Sequence, residues 1–203
     1  MSNPHIVPPA LERLIRSFTS LPGIGVKTAT RMALNVLRKP QAEAREMAEA
    51  LAELHTSIQL CSSCFSFSES DPCSICADPR RDSSTICVVE QSGDLMAIEK
   101  TDSYRGHYHI LHGILSPIDG IGPEELKIME LVARIKSSGI AEILIATSST
   151  VPGEATASYL IDRLQPLAVK LTRLACGIPM GMDIKHADKY TLAKAIERRA
   201  QAL

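Results

Sequence analysis

The chain has 203 residues, 45% of them hydrophobic, which is enough for one sizeable core and a small second unit. A net charge of −1 excludes coating of nucleic acid by bulk charge, and 3% aromatics with no Trp exclude stacking platforms for bases. No stretch approaches 18 consecutive apolar residues and no basic-then-apolar signal opens the chain, so a cytoplasmic protein without membrane contact is expected.

In chain order, Leu11, Leu14, Ile15 and Phe18 follow Pro8-Pro9 at helical spacing. Leu21-Pro22-Gly23-Ile24-Gly25 breaks that helix. Ala29, Met32, Ala33, Val36 and Leu37 form a second stripe, ended by Pro40. A third helix is predicted from about Ala42 to Ile58. Ala44, Met47, Ala48, Leu51 and Ile58 share one face, and Glu43, Glu46, Glu49 and Glu53 mark the wet side. Cys61 to Arg81 is rich in Cys, Ser, Asp and Pro and has no helical period.

Beyond it, short apolar runs alternate with helical ones. Strands are expected at 86–90, 108–115, 142–146 and about 169–174. Helices are expected at about 94–100, from Pro123, where proline and two acids suit a helix start, and at about 153–164. Gly139 is a plausible cap for the middle one. Such alternation argues a mainly parallel sheet with helices on both faces. A last helix is expected over Thr191 to Ala200.

The hairpin Leu21-Pro22-Gly23-Ile24-Gly25-Val26-Lys27-Thr28 is not a P-loop, because Val26 stands where the glycine before lysine belongs. Nor is it a dinucleotide fingerprint, since Thr28 replaces the third glycine and a helix precedes it. It fits a helix–hairpin–helix, with Gly23 and Gly25 allowing a tight turn and the next helix presenting free N–H groups to phosphate. Lys27 and Arg31, at i and i+4, can bracket a DNA backbone. Residues 1–40 carry Arg13, Arg16, Lys27, Arg31, Arg38 and Lys39 against the single acid Glu12, a local basic patch.

Six cysteines in a reducing compartment favour metal over disulfides. Cys61, Cys64, Cys73 and Cys76 form C-x2-C-x8-C-x2-C, the pattern of tetrahedral zinc. Four protein ligands leave no open position, so the ion is structural, one per chain. Cys87 and Cys176 read as packed strand-end thiols. His107, His109 and His112 suggest a metal at first sight, but alternation divides them between faces and no acid joins them, so they read as solvated or packed. Glu90 ends a strand at the edge where α/β sites form, and Glu154 lies in a helix's first turn. The loop Ser148-Ser149-Thr150 between them offers hydroxyls only.

Together these motifs resemble the bacterial RecR recombination-mediator family over nearly the whole chain. LPGIGVKTATRMA is similar to its helix–hairpin–helix, and the four cysteines to its zinc finger. ICVVEQSGDLMAIEKT, YRGHYHILHGILSPIDGIGPEEL and TSSTVPGEATASYL resemble its Toprim domain, and GIPMGMDIKHAD its C-terminal segment. The resemblance implies an α/β fold: an N-terminal helical hairpin region (1–57), a C4 zinc finger (58–80), a Toprim-type mainly parallel sheet with flanking helices (81–175), and a C-terminal segment and helix (176–203) in oligomer contact.

It also implies a non-catalytic, nucleoid-associated protein that binds single- and double-stranded DNA as a homo-oligomer, a tetrameric ring. Such a protein works with RecO, and in some settings RecF, to load RecA onto single-stranded DNA. Lys27 and Arg31 match basic hairpin positions tied to DNA binding in the family. Catalytic Toprim enzymes carry D-x-D-x-x-G-E; here the frame reads Ser148-Ser149-Thr150-Val151-Pro152-Gly153-Glu154, without either aspartate. RecR-type sequences usually lack the pair too, often with Asn-Pro-Thr, and this chain departs further at Ser148, Ser149 and Pro152. Met182, Lys185 and His186 stand where the family often has Gly, Glu and Tyr.

Two competing functions are a metal-dependent Toprim nucleic-acid enzyme and a protein adaptor without direct DNA binding. Glu90 and Glu154 are expected to form a contact surface for a partner.

Overall fold

The computed structural model describes residues 7–197 and Arg199. The chain divides into two compact units, one ending at Ile58 and the other beginning at Gln59.

The first unit is helical: α1 (Pro9–Thr19), α2 (Val26–Arg38) and α3 (Gln41–Ser57). Pro8 and Pro40 stand before α1 and α3 with fixed φ, so proline starts both helices without a side-chain cap. Phe18 of α1 packs with Ala29 and Ala33 of α2, all buried, and Leu11, Leu14, Ile15, Met32 and Val36 close around them. The small alanines let the two helices approach. The predicted third helix is present, but its apolar face is not covered: no residue of α3 is buried, and Met47, Leu51 and Leu54 are exposed. An amphipathic stripe states that a helix wants a cover; within one chain, α1 and α2 have already satisfied each other.

The second unit opens with a two-stranded antiparallel ribbon, β1 (Gln59–Leu60) with β2 (Phe67–Ser68), and one turn of helix, α4 (Ser74–Ala77). Neither was visible as a periodic pattern. Then come β3 (Asp82–Val89), α5 (Ser92–Glu99), β4 (Gly106–Ile110), α6 (Ile128–Ser137), β5 (Glu142–Ile145), α7 (Val151–Leu164), β6 (Lys170–Arg173) and α8 (Lys189–Glu197). The predicted end of the last helix, Ala200, lies outside the described residues. Among those described, no helix is long and apolar enough to cross a membrane.

The four longer strands form one parallel sheet in the order β4-β3-β5-β6. Its two faces are written in the alternation of β3. Ile86 and Val88 pack with Ile143 and Ile145 of β5 against Ile128, Leu131 and Ile135 of α6 and Ala157, Leu160 and Leu164 of α7. Cys87 and Val89 pack with Tyr108 and Ile110 of β4 against Leu95 of α5. Each fully buried Leu or Ile on these faces is worth about 1.5–3 kcal/mol. Helices therefore cover both faces. The strand order reverses between β3 and β5, and clefts in such sheets open at the carboxyl ends of that pair.

Several expected boundaries move. The strand expected at 86–90 begins four residues earlier, at Asp82, and ends at Val89. The helix predicted from Pro123 begins at Ile128, because residues 123–127 form turns instead. There the Gly122 N–H donates to Glu125 Oε2 (2.8 Å), so this acid holds a turn rather than a helix start. The strand predicted to Leu115 ends at Ile110. His112 adopts a left-handed conformation (φ 61°), and the Gly113 N–H turns back to the Glu90 carbonyl (3.0 Å). Gly139, also left-handed at φ 51°, follows α6 as expected.

Candidate nucleic-acid interface and metal centre

The hairpin begins with the Ile24 N–H donating to the Leu21 carbonyl (3.1 Å), which closes the turn. Gly23 sits at φ +77°, a conformation that costs any side chain, so glycine is required there. Gly25 differs. It is extended at φ −82°, with open space where a side chain would go, and it precedes α2 as its N-cap. With glycine at that position no side chain caps α2. The first N–H groups of the helix stay available to an anion, and the helix dipole favours one.

α2 contains no acid. Lys27, Thr30, Arg31, Leu34, Asn35 and Arg38 line a groove of about 320 Å³ along it. Composition alone could not separate the six basic residues of this region; geometry does. Arg16 pairs with Glu12 (3.2 Å) and Lys39 with Glu43 (2.8 Å). Among the described residues, no ion pair engages Arg13, Lys27, Arg31 or Arg38.

The four cysteines converge. All four Sγ atoms lie within 4.8 Å of one another, with Cys64 and Cys73 Sγ at 3.5 Å. A zinc ion with bonds of about 2.3 Å to each thiolate would set these sulfurs about 3.8 Å apart, so the set fits the metal. Local hydrogen bonds shape both cysteine turns. Phe65 N–H reaches the Cys61 carbonyl (2.9 Å), and the Ser62 amide and hydroxyl both donate to Asp71 Oδ1 (2.8 Å each). In the second turn the Cys76 N–H donates to Cys73 Sγ (3.5 Å). The Cys76 thiol is pushed down to about 5, first by the hydrogen bond with Cys64 and further by the Arg134 cation. Cys64 moves up, first through the hydrogen bond with Cys76 and then through burial.

The cluster is docked on the outer edge of β4. Ile110 N–H donates to the Cys64 carbonyl (2.9 Å), and one guanidinium nitrogen of Arg134 donates to the carbonyls of Ser63 (2.9 Å) and Tyr108 (2.7 Å). The Phe65 ring meets His109 edge-on at 5.3 Å, and Lys127 Nζ lies over the same ring, 5.3 Å from its centroid. Two of the three histidines make contacts here, one buried and one exposed. His109 is fully buried with Nε2 2.6 Å from the Lys127 carbonyl, and burial pushes its pKa down to about 4. His112 Nε2 meets the Phe65 carbonyl (2.7 Å). These docking contacts were missed in the sequence. The only signal was a run of histidines near an unusually polar, cysteine-rich neighbour.

Of the other cysteines, Cys87 is packed in mid-strand, and burial pushes its thiol up to about 12. Cys176 departs from the packed strand-end expectation. It lies beyond β6, half-buried, with Sγ 3.5 Å from Ser149 Oγ.

The sheet edge is self-satisfied. Glu90, at the end of β3, accepts the Ser148 N–H across the switch point (2.6 Å). Thr150 caps α7 by accepting the Gly153 N–H (3.2 Å), and its hydroxyl also meets Ser148 Oγ (2.8 Å). Glu154 is held through both oxygens by Arg173 of β6. Glu90 borders one cleft of about 340 Å³ with Ser148, Ser149 and Arg173. Glu154 borders an adjacent one of about 440 Å³ with Ser149, Tyr190 and Lys194. The two carboxylates thus share an edge but are engaged separately. Gly153 has its own reason to be glycine: a Cβ there would run into the Ser148 carbonyl.

Comparison with known proteins agrees with these parts in order. Residues 11–55 match the family described as RecR, helix-hairpin-helix, and 58–78 match the RecR four-cysteine zinc finger domain. Residues 84–175 match the Toprim domain and 177–199 match RecR, C-terminal. The recombination protein RecR of Anaeromyxobacter sp. (strain Fw109-5) is 51% identical over 191 residues, 94% of this chain and 96% of that protein. The chain belongs to the RecR family. The RecR of Heliobacterium modesticaldum (strain ATCC 51547 / Ice1) is 49% identical over 189 residues, covering 93% of this chain and 95% of its own. That of Syntrophobacter fumaroxidans (strain DSM 10017 / MPOB) is 47% identical over 192 residues, covering 95% and 96%. RecR membership makes this a recombination and repair protein. The zinc-finger match and the converging sulfurs make Cys61, Cys64, Cys73 and Cys76 a structural zinc site. The helix–hairpin–helix and zinc-finger matches support DNA binding.

Proposed function

We propose that this RecR-family chain is a non-catalytic recombination mediator that holds single- and double-stranded DNA by the phosphate backbone. Lys27 and Arg31 bracket the strand at the open start of α2, and Gly23 and Gly25 shape the approach. The observation that carries this reading is the α2 face itself: an uncapped helix start beside two exposed cations that, among the described residues, no acid engages. Acting with RecO, and in some settings RecF, the protein promotes RecA loading on single-stranded DNA at the nucleoid.

The working form is a homo-oligomer, a tetrameric ring. The uncovered row on α3 and the exposed Met180, Met182 and Ile184 of the C-terminal segment support self-association. Four regions divide the labour: 1–57 for DNA, 58–80 for zinc, 81–175 as the Toprim scaffold and 176–203 for subunit contact. The Toprim edge with Glu90 and Glu154 serves as a partner contact. Their engagement by the Ser148 amide and Arg173 favours that over catalysis.

Fluorescence anisotropy with labelled single-stranded and duplex DNA tests the reading. Lys27→Glu with Arg31→Glu is expected to abolish binding at physiological salt; unchanged binding would overturn the hairpin assignment. Magnesium-dependent nicking, relaxation or primer synthesis lost in Glu90→Ala would overturn the non-catalytic reading in favour of a Toprim enzyme. Binding to RecO with no DNA retention at low salt would favour the adaptor. Light-scattering mass, with and without DNA, tests the ring.

A further inference from the structure

The open helix start accounts for Lys27 and Arg31 but not for the rest of the groove they line. Three α2 positions recur on one face. On a helix turning 100° per residue, Arg31 is rotated about 40° from Lys27, and Arg38 only about 20° from it. At ~1.5 Å per residue, Lys27 and Arg38 stand about 16 Å apart along the axis, close to five nucleotides of one strand at ~3.4 Å each. Asn35 and Leu34 lie between them in the groove, exposed, one offering an amide and the other an apolar strip.

Arg38 differs from its neighbour Lys39, although the sequence writes them side by side. Lys39 turns to Glu43 and forms an ion pair at 2.8 Å. Arg38 points into the groove, and among the described residues no ion pair engages it. A cation in the last turn also complements the helix dipole. That role asks only for charge near the helix end, not for alignment with Lys27 and Arg31 on an acid-free face.

We infer that the nucleic-acid track extends along the whole of α2, with Arg38 making a further phosphate contact and Asn35 lining the path to it. The inference rests on the DNA-binding reading above and deepens it. The hairpin supplies backbone N–H groups and two cations at one end, and the guanidinium of Arg38 supplies a two-donor fork for a phosphate at the other. Every contact is to the backbone, so the track carries no sequence preference.

The experiment is the salt dependence of full-length protein binding to labelled oligo(dT) and to a mixed-sequence duplex. Each lost phosphate contact flattens the plot of log K against log salt by about 0.7 for the single strand and about 0.9 for the duplex. Arg38→Ala is expected to show that loss, and Arg38→Lys to restore the slope. Lys27→Ala with Arg31→Ala should flatten it by about twice as much. Arg13→Ala, on α1 and outside the groove, should leave it unchanged. If the double variant flattens the slope and Arg38→Ala does not, the extended track is wrong and the hairpin reading stands. If neither changes the slope, both fall. A drop in melting temperature for Arg38→Ala with an unchanged slope assigns Arg38 to the helix end and overturns the inference. Equal loss in Arg13→Ala would make the patch diffuse and overturn it too.

Discussion

Arg173 grips both carboxylate oxygens of Glu154, at 2.7 and 2.9 Å, from the strand that neighbours the one leading into α7. The glutamate that remains of the Toprim frame is thereby committed to a guanidinium. The pair is partly shielded, with the arginine side chain 20% exposed and the glutamate 40%. Arg173→Ala is expected to lower stability by about 1–2 kcal/mol, more than a surface pair, because it removes two charge-assisted hydrogen bonds. Glu154→Gln keeps one acceptor and should cost less. Urea denaturation of both variants checks the order.

Zinc removal should be read at one strand edge rather than only as a global loss. Ile110 N–H is held by the Cys64 carbonyl, whereas Ala146 N–H, bonded to the Val88 carbonyl (2.8 Å), lies inside the sheet. Chelation, or Cys73→Ser, is expected to release the zinc and raise hydrogen exchange at Ile110 well before Ala146. Mass spectrometry should give one zinc per chain before treatment and none after.

His109 predicts a pH dependence. Its folded pKa lies near 4 because burial disfavours the charged ring, against about 6.5 unfolded. Between those values the unfolded chain binds the extra proton, so acid favours unfolding. The contribution is full above about pH 6.5, falls as pH drops towards 4 and changes no further below it. Its size is on the order of 3 kcal/mol. His109→Gln should flatten this limb of the stability–pH curve, as measured by denaturant midpoints.

The three motif glycines should respond differently to alanine. Gly23→Ala is expected to cost about 1–2 kcal/mol through its positive φ and to weaken DNA binding by deforming the hairpin. Gly25→Ala meets open space at an ordinary φ, so its cost is limited to about 1 kcal/mol from the poorer N-cap. Gly153→Ala would drive a methyl into the Ser148 carbonyl and should cost several kcal/mol. Thermal melts of the three variants check the ranking.

Much of the fold was legible because periodicity reports burial. The α1–α2 stripes and the apolar runs of β3 and β5 gave their elements directly. What failed were places where a residue serves a local bond instead of a period. Glu125 holds a turn, so the helix after Pro123 starts late. His112 bends out of the strand, so alternation beyond Ile110 says nothing about faces. In the α2 region the sequence showed an excess of cations but not which were neutralised, since Arg16–Glu12 and Lys39–Glu43 are facts of side-chain geometry. Likewise the spacing of the cysteines announced zinc, but not the surface on which the finger sits. That surface is assembled from Arg134 and two histidines, which the finger meets through Ser63 and Phe65.

That docking has a consequence for how the molecule avoids unwanted company. β4 is an edge strand, and an unpaired edge is a template for another chain's backbone. Two of its outward groups are occupied here: the Ile110 amide by the Cys64 carbonyl and the Tyr108 carbonyl by Arg134. The zinc finger, through Cys64, therefore guards one end of that edge, and Arg134 of α6 holds the next outward carbonyl. A chain that loses its metal is expected to free the Ile110 end of that edge, which the loaded protein keeps occupied.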